Sequence, residues 1–302
     1  MSLTAELTFS RISRSIMKIG KYYKRVSIQS LPPELLHEIF AYLGHQDHPT
    51  LSACVRTCKL WYEVARPHLL SRAVFRGLGA QDRFYELCSS KPNVAAFIQV
   101  LRLQGLGSNP LDLKRLASTL CLLPALHTLS LVGFDNRHSH SADTYEISRN
   151  KPIPLTKLSI TSCMPGTFML SALLCLFSVD TLEMCVRTDI PNPSAISAMF
   201  SSVAHTVHLR HLVVEQSSTL APYFDTVFLP LLSPGTLRSF SGTTWMHPHA
   251  IRIRDFLCSA PAHNLCSLSL QVYTNTYTRA SAQLHLGVHR FFSSLVFYGR
   301  LF

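Results

Sequence analysis

Carboxylates are scarce in this chain. Its 302 residues include 17 Asp and Glu against 28 Lys and Arg, a formal net charge of +11. The excess is uneven: residues 1–30 hold six basic groups (Arg11, Arg14, Lys18, Lys21, Lys24, Arg25) against Glu6 alone, whereas residues 31–76 carry five basic and four acidic groups. A nucleic-acid groove needs basic side chains grouped on one face of the folded part. No such run is visible, so neither nucleic acid nor membrane is expected as a partner. Long apolar runs are missing too. Stretches such as Phe168 to Phe177 fall short of the roughly 18–20 residues that cross a bilayer, so no transmembrane helix is expected. No CxxC pair, no Asn-x-Ser/Thr sequon and no signal-peptide core occur. The nine scattered cysteines therefore read as reduced, mostly buried thiols of a cytoplasmic or nuclear protein.

Catalytic signatures are equally absent: no GxSxG elbow, phosphate loop, GxGxxG or HExxH can be found. The expectation is a protein that is not an enzyme and uses no cofactor or metal. His138-Ser139-His140 and His45-Gln46-Asp47-His48 have no third ligand cluster beside them, and both are expected to be exposed loops.

What the chain does have is apolar residues, 47% of the total with mean hydropathy +0.18, enough for a folded protein of one to two domains. Residues 1–27 are expected to be a disordered basic leader, although Ile12, Ile16 and Ile19 would also suit an amphipathic helix. Residues 28–76 read as a helical module. Pro33 and Glu34 open a first helix, in which Leu35, Leu36, Ile39, Phe40 and Leu43 recur at three- and four-residue spacing and Gly44 supplies a stop. A second helix opens at Pro49 and carries Leu51, Val55 and Cys58, and a third runs through Leu60–Ala65 to end near Pro67. So small a module buries too little surface to stand alone and should dock on something.

The pattern Leu31-Pro32-x-Glu34-Leu35-x-x-x-Ile39-Phe40-x-x-Leu43, followed by Val55, Cys58, Lys59 and Trp61, resembles the F-box family over about one sixth of the chain. The stretch Leu51 to Val55 departs from it by lacking the usual uninterrupted aliphatic run. The resemblance implies docking onto the Skp-family adaptor of a cullin-based ubiquitin ligase, with Leu31, Pro32, Glu34, Ile39, Leu43, Val55 and Trp61 as the adaptor-binding residues. Read from the residues alone, the alternative is that these side chains form the module's own core, a reading that suits Leu35 and Leu36 better than Leu31 and Pro32, which precede the helix.

Beyond a connector at 77–94, residues 95–302 show an internal period. Seven segments share an apolar-x-x-apolar-x-apolar shape, with middle positions Leu101, Leu129, Leu158, Leu182, Leu212, Phe240 and Leu268. The steps between them lie between 24 and 30 residues. Helix-patterned stretches fall between the strand-like segments: Leu111 to Leu123, Phe168 to Phe177, Ser194 to Val207, Leu220 to Leu232 and His249 to Ser259. Ala280 to Ser294 also reads as a helix, before a further strand near Leu295, and the ending Leu301-Phe302 is expected to mean either an exposed apolar end or a chain that lacks later repeats.

One strand and one helix per unit resembles the leucine-rich repeat in an irregular form, without the Asn/Cys ladder position and with a weak sixth unit at Gly242. The expected fold class is α/β: a three-helix module followed by a curved solenoid, with parallel strands on the concave side and helices on the convex side. Alternate strand residues should face outward in two columns, and among them Arg102, Gln104, Ser130, Ser159, Thr161, Glu183, Glu215, Thr243 and Gln271 are the candidate target-binding residues. The whole then reads as a substrate-recognition adaptor of a Skp-cullin-F-box ligase that binds an unidentified target protein. The alternative is a non-catalytic scaffold whose helical module caps the solenoid.

Overall fold

The computed structural model describes residues 31–105, 110–135, 152–163, 167–185, 207–215, 224–244, 247–273 and 279–285. The chain divides into two compact units, the first ending at Leu70 and the second beginning at Ser71.

The first unit is three helices: α1 (Pro33–Gln46), α2 (His48–Val55) and α3 (Lys59–Leu70). Proline at the start of α1 loses nothing, because the first N–H groups of a helix have no intrahelical partner. The expected stop at Gly44 does not occur, and α1 runs on to Gln46, with Asp47 alone separating it from α2. His45 and His48 thus belong to helices and not to an exposed loop. Asp47 caps α2 by accepting from the Thr50 hydroxyl and from the Thr50 N–H, the latter at 3.0 Å, and these bonds hold its carboxyl below the ordinary range. The third helix passes through Pro67 and ends three residues later. Leu36, Phe40, Leu51, Val64 and Ala65 form the core of this unit, each nearly or fully buried.

The second unit is built on one nine-stranded sheet, in chain order from edge to edge. Its strands are β1 (Arg72–Arg76), β2 (Val100–Gln104), β3 (Thr128–Val132), β4 (Ile153–Thr161), β5 (Phe177–Cys185), β6 (His211–Val214), β7 (Ser239–Thr244), β8 (Ser267–Tyr273) and β9 (Arg279–His285). The first eight are parallel and β9 is antiparallel to β8. The seven periodic residues lie in one unbroken row, Leu101↔Leu129↔Leu158↔Leu182↔Leu212↔Phe240↔Leu268, and Ala73 extends it by one strand.

Parallel neighbours need a crossover of a dozen or more residues, which sets the long step between strands. Helices α4 (Ala80–Ser90), α5 (Pro92–Ala95), α6 (Leu113–Leu120), α7 (Thr167–Leu176), α8 (Leu229–Leu231) and α9 (His247–Leu257) supply crossovers. Leu116 and Leu120 of α6, Leu170 and Leu173 of α7, and Ile253 and Phe256 of α9 share one buried cluster with the strand leucines. One face of the sheet is therefore covered by helices, and each leucine buried there contributes on the order of 2 kcal/mol.

Several features depart from expectation. Strand β1 lies inside the span 28–76, and α4 and α5 occupy the stretch 77–94 read as a connector. Residues 279–285 are strand, not helix; the alternation of Ala280, Ala282 and Leu284 with Ser281 and Gln283 is a two-residue period. The helix expected over 220–232 is a π turn at Phe224–Phe228 followed by α8, where Pro230 has no N–H to give. Three residues past Ile160, the buried Cys163 thiol donates to Leu131 O and accepts from the Phe134 N–H, both at 3.5 Å. The basic leader, His138 to His140, residues 194–206 and the segment near Leu295 lie outside the described residues. Among the described residues no helix is long and apolar enough to cross a membrane, and no three His, Cys, Asp or Glu side chains converge.

Candidate docking surfaces

Helix α1 has two apolar faces. Leu36 and Phe40 point into the unit's core, and Phe40 meets Trp61 of α3 edge-on with ring centroids 5.4 Å apart. About 100° round the helix from these, Leu35, Ile39 and Tyr42 follow at four- and three-residue spacing and are 45%, 44% and 63% exposed. Tyr62 of α3 is 44% exposed, with the Arg66 guanidinium 5.8 Å from its ring centre. A helix of a small unit that leaves three large apolar side chains in water presents a surface for a partner.

The seven residues expected to bind an adaptor divide accordingly. Pro32, Glu34 and Ile39 are exposed, whereas Leu31, Leu43, Val55 and Trp61 are half-buried and pack against the core. Leu35, Tyr42 and Tyr62 were not among the expected docking residues. A 3.6-residue period finds one apolar face readily, but the α1 sequence is apolar on two. The indole N–H of Trp61 is buried and has no acceptor among the described residues. Burial also pushes the Cys54 thiol up. At the outer surface His37 Nδ1 and His68 Nε2 lie 3.1 Å apart, tying α1 to α3.

The side of the sheet away from the helices carries the two expected columns. Arg102, Ser130, Ser159, Glu183, Val213, Ser241 and Ser269 form one register row, extended by Val74 of β1. Gln104, Val132, Thr161 and Cys185 form the next, Thr243 stands opposite Gln271, and Glu215 directly follows β6. Arg102 and Glu215 are exposed, the serines and threonines half-exposed, and Val132 buried. Lys157 in the adjoining row binds Glu183 across strands at 2.6 Å, and His211 Nδ1 meets Ser239 Oγ at 2.6 Å.

The exposed apolar stripe lies on the first of three short helices, which follows directly on Leu31 and Pro32. Residues 28–76 match the F-box-like family. Modules of this family generally bind Skp-family adaptors of cullin-based ubiquitin ligases. The chain is also similar to F-box/LRR-repeat protein 5 of Danio rerio, with 40% identity over 62 residues. That similarity covers 20% of this chain and 9% of the relative, so the chain spans only a small part of the relative's length.

Proposed function

We propose that this chain is a substrate-recognition adaptor of a Skp-cullin-F-box ubiquitin ligase. The F-box-like module docks the Skp-family adaptor through the outward stripe Leu35, Ile39 and Tyr42, flanked by Leu31, Pro32 and Glu34. Leu43, Val55 and Trp61 act from beneath it by holding α1 and α3 in place. The observation that carries this reading is that stripe of exposed apolar side chains in a module of this family. The eight parallel strands then form a leucine-rich-repeat-like solenoid whose outward columns receive a target protein through Arg102, Gln104, Ser130, Ser159, Thr161, Glu183, Glu215, Thr243 and Gln271. No bond chemistry is assigned to the chain; it acts by raising the target's local concentration beside the transfer enzyme. The half-burial of Leu31, Leu43, Val55 and Trp61 favours a second reading, in which the module is a structural element of a non-catalytic scaffold.

Capture of a Skp-family adaptor by the full chain separates the two. The ligase reading expects capture that a Leu35→Lys, Ile39→Lys variant loses while keeping its fold. No capture by the unaltered chain, or capture indifferent to that variant, favours the scaffold.

A further inference from the structure

Strand β1 changes the chemistry of the sheet's outward face. It sets Arg72, Val74 and Arg76 opposite Val100, Arg102 and Gln104 of β2. Val74 is 50% exposed, and Arg76 and Arg102 are exposed and make no ion pair among the described residues. On β1, β2 and β3 no outward position is a carboxylate; the first is Glu183 on β5, already held by Lys157. The face is thus basic at one end and neutralised in the middle. It is lined with Ser239, Ser241, Ser267 and Ser269 at the other end.

Spacing decides what such an end can hold. Arg72 and Arg76 are four residues apart on one strand, about 13 Å at 3.3 Å per residue, and Arg102 stands roughly 5 Å across from Val74 between them. A single phosphate spans far less than the distance between Arg72 and Arg76 along the strand, and the exposed Val74 stands between them. An extended chain with carboxylates four residues apart and an apolar residue midway has the same spacing, and guanidinium forks suit carboxylates. A nucleic-acid backbone would need the basic surface to continue across the sheet, where Glu183 and Glu215 stand.

We infer that the β1–β2 end of this face binds an extended acidic segment of a partner protein, its apolar residue on Val74 and its carboxylates on Arg72, Arg76 and Arg102. This rests on the proposal that the outward face receives the target, and names the chemistry recognised there. The opposing account is that the arginines only keep the edge strand β1 from pairing with other chains.

The test is fluorescence anisotropy of the full chain with a fluorescein-labelled peptide containing two copies of Glu-Ser-Leu-Ser-Glu. Saturable, salt-sensitive binding is expected, weakened about tenfold by Arg76→Glu with Arg102→Glu, since each exposed pair contributes modestly. Lys114→Glu, on α6, should leave it unchanged. Arg76→Gln with Arg102→Gln should fall between and guards against a folding defect. Equal binding by the reversed variant overturns the inference. So does equal binding of a scrambled peptide, or preferential binding of a phosphoserine peptide without glutamate or of a single-stranded oligonucleotide. The arginine variants should still capture the adaptor, so failure here leaves the module's role standing.

Discussion

Gly242 occupies the third apolar column of the sheet, where other repeats place Leu103, Leu131, Ile160 and Met184. A Cβ at this glycine would meet the Phe240 ring at 2.8 Å, so the phenylalanine one pleat earlier fills the space a longer side chain would take. Phe240 belongs to a set of rings with Phe224 and Phe256, at centroid separations of 5.0 to 6.4 Å. Gly242→Leu should therefore overpack the core and cost about 2 kcal/mol, seen as a lower midpoint in urea. An unchanged midpoint would mean the ring is not held there. Burial pushes the thiols of Cys88, Cys163 and Cys175 up to about 11. Native protein keeps these protons above pH 9, whereas the unfolded chain releases them. Stability should thus be full below about pH 9 and fall as pH rises toward 11. At pH 7.5 iodoacetamide should modify the exposed Cys121 and Cys266 well before Cys163, as mass spectrometry of alkylated peptides would read.

The two faces of α1 make opposite predictions. Leu36→Ala removes a fully packed side chain and should destabilise the first unit by about 3 kcal/mol. Leu35→Lys or Ile39→Lys should leave the melting temperature nearly unchanged, because both side chains already stand partly in water. Each should weaken adaptor capture by about 2 kcal/mol or more, as truncation of an interface anchor does. The cap of α2 adds a pH signature. The Asp47 carboxyl, lowered by its hydrogen bonds to Thr50, stabilises that helix above its ordinary value of 3.8 and loses this as pH falls through the lowered one. Circular dichroism of Asp47→Ala should show a loss of helix stability near neutral pH that shrinks in acid.

Across the whole molecule, the row of middle residues was legible from spacing alone, because a leucine needed at one height of every strand must recur once per crossover. Strand β1 escaped it although Leu70, Ala73 and Phe75 keep the same spacing, since Ala73 is small and the segment adjoins helices. The basic end of the sheet was hidden for the same reason, as two of its three arginines lie on that strand. The outward face of α1 was only half legible: period identifies apolar residues but not which of two apolar sides turns inward. The most direct test of the account is quantitative capture of a Skp-family adaptor by the full chain and by its Leu35→Lys, Ile39→Lys variant at matched thermal stability. The account predicts stoichiometric capture by the first and at least a thirtyfold loss for the second, since removing even one interface anchor worth about 2 kcal/mol has that effect. Equal capture by both, or none by either, would contradict it.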